Sequence, residues 1–150
     1  MSERDDGRVA DRNDPAVIRR LMTTPATWAV VGLSNNPVRP AYEVSEFLVE
    51  RLRMTIIPIH RRADTVHGAA GFVSLAEIPD GTQVDVVDCF VNSQRVGEVV
   101  DQAIAERDRL GIGAVWLQLG VVDEAAARRA AEAGLDVVMD TCPKIEFRHL

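Results

Sequence analysis

Five short apolar runs, most of them rich in β-branched residues, recur at about Trp28 to Leu33, Thr55 to Ile59, Val84 to Phe90, Ala114 to Leu117 and Asp136 to Met139. Between them lie helical patterns. Tyr42 to Leu52 carries Val44, Phe47, Leu48 and Leu52 on one face; Arg95 to Arg109 carries Val96, Val99, Val100, Ala103 and Ile104; a third pattern covers Glu124 to Ala133. Strands that alternate with helices are joined by right-handed crossovers, which lay helices over both faces of a parallel sheet. The alternation predicts an α/β fold: a Rossmann-like, doubly wound, mostly parallel five-stranded sheet with helices on both faces. A further helix is expected over Pro15 to Met22, where Val17, Ile18, Leu21 and Met22 fall at helical spacing. Between Ala63 and Gly81 the pattern weakens, with room for one short strand and one helical turn.

A chain of 150 residues, 47% of them hydrophobic, can bury one good core. This predicts a polar tail over residues 1–13 and a single domain over 14–150. The charged start, Met1-Ser2-Glu3-Arg4-Asp5-Asp6, lacks the apolar segment of a signal peptide, and no run approaches the roughly 18 apolar residues of a membrane span. A cytoplasmic protein is expected. Cys89 and Cys142 are too few for a disulfide framework and have no zinc-type spacing, so both are read as structural thiols. A net charge of −6 argues against nucleic acid or an anionic membrane as partner, because such binding neutralises many phosphates at once. Any phosphate site must be a local island of Arg and N–H groups.

In a doubly wound sheet the ligand lies beyond the carboxyl ends of the strands. The first such end reads Gly32-Leu33-Ser34-Asn35-Asn36-Pro37-Val38-Arg39-Pro40, a small-residue turn with a proline suited to the first turn of a helix. Only Gly32 of a dinucleotide fingerprint is present, yet Asn tolerates positive φ and helix N-termini favour anions. An ordinary polar turn is the plain alternative. Arg39 beside a positive helix end is unfavourable by ~0.3–1 kcal/mol unless an anion sits between them. At the second end, Ile59-His60-Arg61-Arg62 stands where an NAD site wants an acid for the ribose hydroxyl. These cations suit a phosphorylated ribose, as in NADP or coenzyme A; a solvated basic turn is the alternative. Asp85 and Asp88 are odd-spaced and point to opposite faces, which suits hydrogen-bonding residues at the start of a strand. Trp116 and Gln118 share a face, which lets Gln118 reach the cleft while Trp116 packs; a packing role for both is the alternative. Cys142 is taken as inert despite nearby Lys144.

These residues resemble a known family. Gly32-Leu33-Ser34-x-x-Pro37-x-Arg39-Pro40, Ile57-Pro58-Ile59, Val84-Asp85-Val86-Val87-Asp88, Trp116-Leu117-Gln118-Leu119-Gly120-Val121 and the closing Gly134-Leu135 to Glu146 look like the small stand-alone CoA-binding proteins. That family is related to the N-terminal CoA-binding domain of the succinyl-CoA synthetase α subunit, and the likeness runs from about Val17 to Leu150. It implies coenzyme A as cofactor, with Gly32, Leu33, Ser34, Asn35 and Arg39 at the phosphates and Ile59 with His60 beside the adenosine; Arg61 joins the expected site through its charge at the second strand end. Phe90, Val91 and Asn92 then border the adenine or the start of the pantetheine arm, with Gln118 and Gly120 across the cleft. The chain departs from the family pattern at Ala41 (usually Ser), His60 (usually Asn) and Val91 (usually Arg), which removes two phosphate contacts unless Arg61, Arg62 or Arg95 compensates. No catalytic residue is assigned. The expectation is a CoA or acyl-CoA binding protein without turnover. An NADP-dependent oxidoreductase domain and a CoA-sensing regulatory subunit are the alternatives, and apolar helix faces leave room for a homodimer or an acyl-CoA enzyme as partner.

Overall fold

A computed structural model describes residues 13–150. Its strands are β1 (Thr27–Val31), β2 (Thr55–Ile59), β3 (Val86–Cys89), β4 (Ala114–Leu117) and β5 (Asp136–Val138), paired in the order β2-β1-β3-β4-β5. Every pairing is parallel, so the sheet expected to be mostly parallel is wholly so. Between β1 and β3 the strand order reverses direction, which opens the crevice that ligands use in such sheets.

The helices are α1 (Pro15–Thr23), α2 (Pro40–Glu50), α3 (Val96–Ala105), α4 (Arg107–Leu110), α5 (Glu124–Glu132) and α6 (Pro143–Phe147). Alternation along each strand sends successive side chains to opposite faces and builds two cores. Trp28, Val30, Val86, Ala114, Trp116 and Val138 face one way and pack with Ile18 and Met22 of α1 and with Ala41 and Leu48 of α2. Ala29, Val31, Val87, Cys89, Val115 and Leu117 face the other way, against Val96, Val100 and Ala103 of α3 and Ala126, Ala127 and Ala130 of α5. The first core centres on Trp28 and Trp116, both fully buried, with ring centroids 5.3 Å apart. Truncating either would cost roughly 3–5 kcal/mol.

Capping follows sequence rules. The Asp14 carboxylate accepts from the Ala16 N–H at 2.9 Å with Pro15 at the first turn, and Asp123 accepts from the Ala126 N–H at 3.0 Å. Arg39 stands at the N-cap of α2 with no side-chain cap, and Pro40 follows it.

Several local expectations need correction. The helix expected over Arg95 to Arg109 is broken at Glu106 (φ −95°, ψ 4°) into α3 and α4. Tertiary bonds hold the second piece: Arg109 donates to the carbonyls of Ile78 (2.6 Å) and Leu75 (3.0 Å), and Arg107 to that of Ala133. Between Ala63 and Gly81 there is a 3-10 turn at Leu75–Glu77, but the expected short strand is reduced to isolated bridges, Ile59 with Phe72 and Val66 with Ala69. The helix α6 has no counterpart among the helical patterns of the sequence. Pro58 lies on the edge strand β2, where its missing N–H breaks no ladder, and its carbonyl accepts from Phe72 at 2.9 Å. The polar tail lies outside the described residues except for Asn13, whose amide pairs with both the N–H and the carbonyl of Met139.

The two strand carboxylates do different things. Asp85 accepts from the Thr27 N–H at 2.8 Å and from Gln83 at 3.2 Å, as a hydrogen-bonding residue should. Asp88 is fully buried, between Val30 and Trp116 in the register, and neither of its oxygens has a partner among the described residues. The hydrogen-bonding role expected for Asp88 is therefore corrected. Burial raises its pKa well above the ordinary carboxylate range.

Candidate functional site

The strand ends are stitched together before any side chain is considered. The Gly32 N–H donates to the Ile59 carbonyl (2.8 Å), that of Phe90 to Val31 (2.8 Å) and that of Gln118 to Cys89 (3.2 Å). Gly32 has φ +96°, and a Cβ there would lie 2.4 Å from the Phe90 carbonyl oxygen. Only glycine lets the end of β1 pass so close to the end of β3. The crevice between these strands is thus floored by backbone, with the turn at residues 32–39 leading to α2 on one face and the turn at 90–95 leading to α3 on the other.

The first turn already holds an anion. The Asn35 N–H donates to a carboxylate oxygen of Asp64 at 2.9 Å, and Arg62 lies 3.6 Å from that same oxygen. Asp64 is absent from the residues singled out in the sequence. Its pKa is lowered first by the Asn35 hydrogen bond and then by the charge of Arg62. His60 sits at the end of β2, half-buried. Burial lowers its pKa, and the charges of Arg62, Arg61 and Arg39 lower it further, with Asp64 opposing them. Three guanidiniums from two different loops therefore converge electrostatically on one imidazole at the mouth of the crevice, and all three are exposed.

The remaining expected residues divide by what they can offer. Leu33 and Ile59 are buried in the two cores, so only their backbone can meet a ligand. Ser34 is also buried, while Asn35 is exposed. Phe90 and Val91 are half-buried at the crevice rim. The Asn92 side chain is engaged at the start of α3, accepting from the Arg95 N–H at 3.0 Å. Across the crevice, Gln118 is buried with its Oε1 unpartnered, and the Gly120 N–H donates to Asp140 at 2.7 Å. Ala41, where a hydroxyl is usual, packs into the core under α2. Cys89 is buried and its thiol is pushed far up in pKa; Cys142 is half-buried just before α6. Neither is placed as a nucleophile.

Sequence reasoning missed the long loop after β2. Ala63 has φ 50°, His67 has φ 51°, and the His67 ring lies 4.4 Å from that of Tyr42, with Nε2 2.9 Å from the Tyr42 carbonyl. These contacts lay the loop over the start of α2 and bring Asp64 to the turn. The only signal in the sequence was a run of charge, Arg61-Arg62-Ala63-Asp64, in which the acid drew no attention.

Comparisons with known proteins agree with this fold. Residues 26–148 match the model of the CoA binding domain. An uncharacterized Bacillus subtilis (strain 168) protein, YneT, is 33% identical over 130 residues, 87% of this chain and 91% of that one. A hypothetical protein from Pyrococcus horikoshii OT3 superposes with a TM-score of 0.81 at 32% identity, covering 93% of this chain and 94% of the other. The dinucleotide forming acetyl-coenzyme A synthetase 1 of Ca. Korarchaeum cryptofilum, in complex with phosphate and ADP, superposes with a TM-score of 0.67 at 24% identity. That match covers 82% of this chain and 27% of the synthetase and is a likeness of fold. Among the described residues no helix is long and apolar enough to cross a membrane. With its sheet order, its glycine-floored crevice and the family match over most of its length, the chain belongs to the CoA-binding domain family.

Proposed function

We propose that the chain binds coenzyme A or an acyl-CoA through the phosphorylated ADP part of the cofactor, without turnover of its own. One observation carries this reading: the Asn35 N–H holds a carboxylate at 2.9 Å in a setting where Arg39, Arg61 and Arg62 all act on His60. A turn that takes one oxyanion has the donor geometry for another, and a guanidinium paired with phosphate makes charge-assisted bonds about twice as strong as neutral ones. Gly32, Leu33, Ser34 and Asn35 supply backbone donors to the pyrophosphate, with Arg39 beside them. His60 and Arg61 take the phosphorylated ribose. Phe90, Val91 and Asn92 border the adenine and the start of the pantetheine arm. Gln118, whose buried Oε1 lacks a donor, and Gly120 line the far wall. Coenzyme A fits the residues present because cations stand at both of its phosphate groups.

Calorimetric titration with coenzyme A, dephospho-CoA, NADP and NAD tests the reading. Coenzyme A should bind tightest, and dephospho-CoA about tenfold or more weaker through loss of one phosphate contact. NAD binding as tightly as coenzyme A, or NADP binding more tightly, would sink it.

A further inference from the structure

On the proposed reading of the turn, the Asp64 carboxylate takes the Asn35 N–H that a ligand phosphate would need. The loop is fixed independently of that carboxylate: the His60 N–H donates to the Phe72 carbonyl (3.0 Å), Phe72 to Pro58 (2.9 Å), Val66 and Ala69 bond reciprocally (3.0 and 2.9 Å), and His67 packs on Tyr42. Immediately before Asp64, Ala63 adopts φ 50°, a left-handed conformation that costs a residue with a Cβ and that turns the chain towards residue 35. Gly71 crosses behind it so closely that a Cβ would lie 2.2 Å from the Asp64 carbonyl oxygen. The groups facing the carboxylate are the Asn35 N–H, Arg62 and His60.

We infer that Asp64 is a tethered anion that occupies the phosphate subsite and must give up the Asn35 N–H and Arg62 before a phosphorylated ligand can take them. This deepens the reading of the turn as the phosphate end of the site and rests on it. The exchange is one oxyanion for another, so the turn's donors and Arg62 stay paired in both states. It makes Asp64 a specificity residue. A ligand with a single weak anion gains little by displacing it, whereas a pyrophosphate carries enough charge to win the site.

The test uses the full ¹⁵N-labelled chain and two substitutions, Asp64→Asn and Asp64→Ala, each titrated with inorganic pyrophosphate and with coenzyme A. The Asn35 amide resonance reports the subsite. Removing the carboxylate charge should tighten pyrophosphate binding about tenfold in both variants, the size of one charged hydrogen bond lost from the competitor. Equal or weaker pyrophosphate binding in the variants, or no response of Asn35 in any of the proteins, overturns the inference. Should pyrophosphate respond as expected while coenzyme A binds none of the proteins, the tethered anion stands and the cofactor reading fails. Should coenzyme A bind all three equally, the cofactor reading stands and the tethered anion fails. Thermal melting of both variants checks that the loop contacts hold without the carboxylate.

Discussion

Two turns on the same edge of the sheet each answer a backbone N–H with a carboxylate, and they differ in everything around that bond. At the end of β1, Asn35 donates to Asp64 beside Arg62 and His60, and Arg39 and Arg61 act on that same imidazole. Beyond β4, Gly120 donates to Asp140 at 2.7 Å, and Ser93 ties the same turn down by accepting from the Val122 N–H at 2.9 Å. The second turn is closed on itself; the first is held by an acid that neighbouring cations would equally give to a ligand. One fold edge thus has a cation-rich half suited to phosphates and a half whose carboxylate is answered by a backbone N–H.

The sharpest break in the comparison is at the glycines. Gly32→Ala would drive a Cβ into the Phe90 carbonyl at φ +96°, whereas a Cβ added to Gly120, at φ +85°, would meet nothing within 4 Å. The first substitution should destabilise by about 3 kcal/mol or more and the second by only about 1 kcal/mol, read from urea unfolding midpoints. Next in size is the ligand itself. Arg39→Ala should weaken coenzyme A about tenfold at low salt and less as salt rises, while Asp140→Ala changes affinity by less than about twofold. Titration calorimetry at two salt concentrations separates them; equal losses would erase the difference between the two turns.

Beneath both turns runs β3 with its buried acid. Asp88 is raised in the folded state, so the fold binds a proton that the unfolded chain releases, and its stability falls as pH rises from the unfolded carboxylate value towards the folded one. Asp88→Asn should remove that slope, with a melting gain on the order of a few °C near pH 8 and little or none near pH 4. A uniform shift at both pH values would show that the folded carboxyl titrates at its unfolded value. The smallest effect belongs to His60. Its lowered pKa means that the fold without ligand resists protonation, so stability drops slightly as pH falls below the unfolded imidazole value. A bound phosphate favours the charged ring, and coenzyme A affinity should rise by up to about threefold from pH 7.5 to 5.5, a trend absent in His60→Gln.

The sequence was informative where the backbone obeys a period. β-branched runs such as Thr55–Ile59 and Ala114–Leu117 found their strands because alternation and crossover length leave little choice. Gly32 and Arg39 drew attention because strand ends in this fold face ligands. What escaped depends on contacts distant in sequence. The break at Glu106 reflects Arg109 reaching carbonyls more than thirty residues away, at Leu75 and Ile78. Asp64 was invisible because an acid beside two arginines reads as an ordinary surface pair until the loop is folded over α2. Asp88 looked like a hydrogen-bonding residue because spacing fixes the face of a side chain but says nothing of the donors on it.

The edges of the sheet set how this protein can meet another molecule of its kind. On one side, Pro58 offers no donor and Phe72 already takes its carbonyl; on the other, β5 is three residues long and Asn13 covers its continuation at Met139. Neither border presents the long unpaired row of N–H and C=O groups from which strands add and aggregates grow. Self-association, if it is used to bring two ligands together, must therefore run through helix surfaces and loops rather than through a shared sheet.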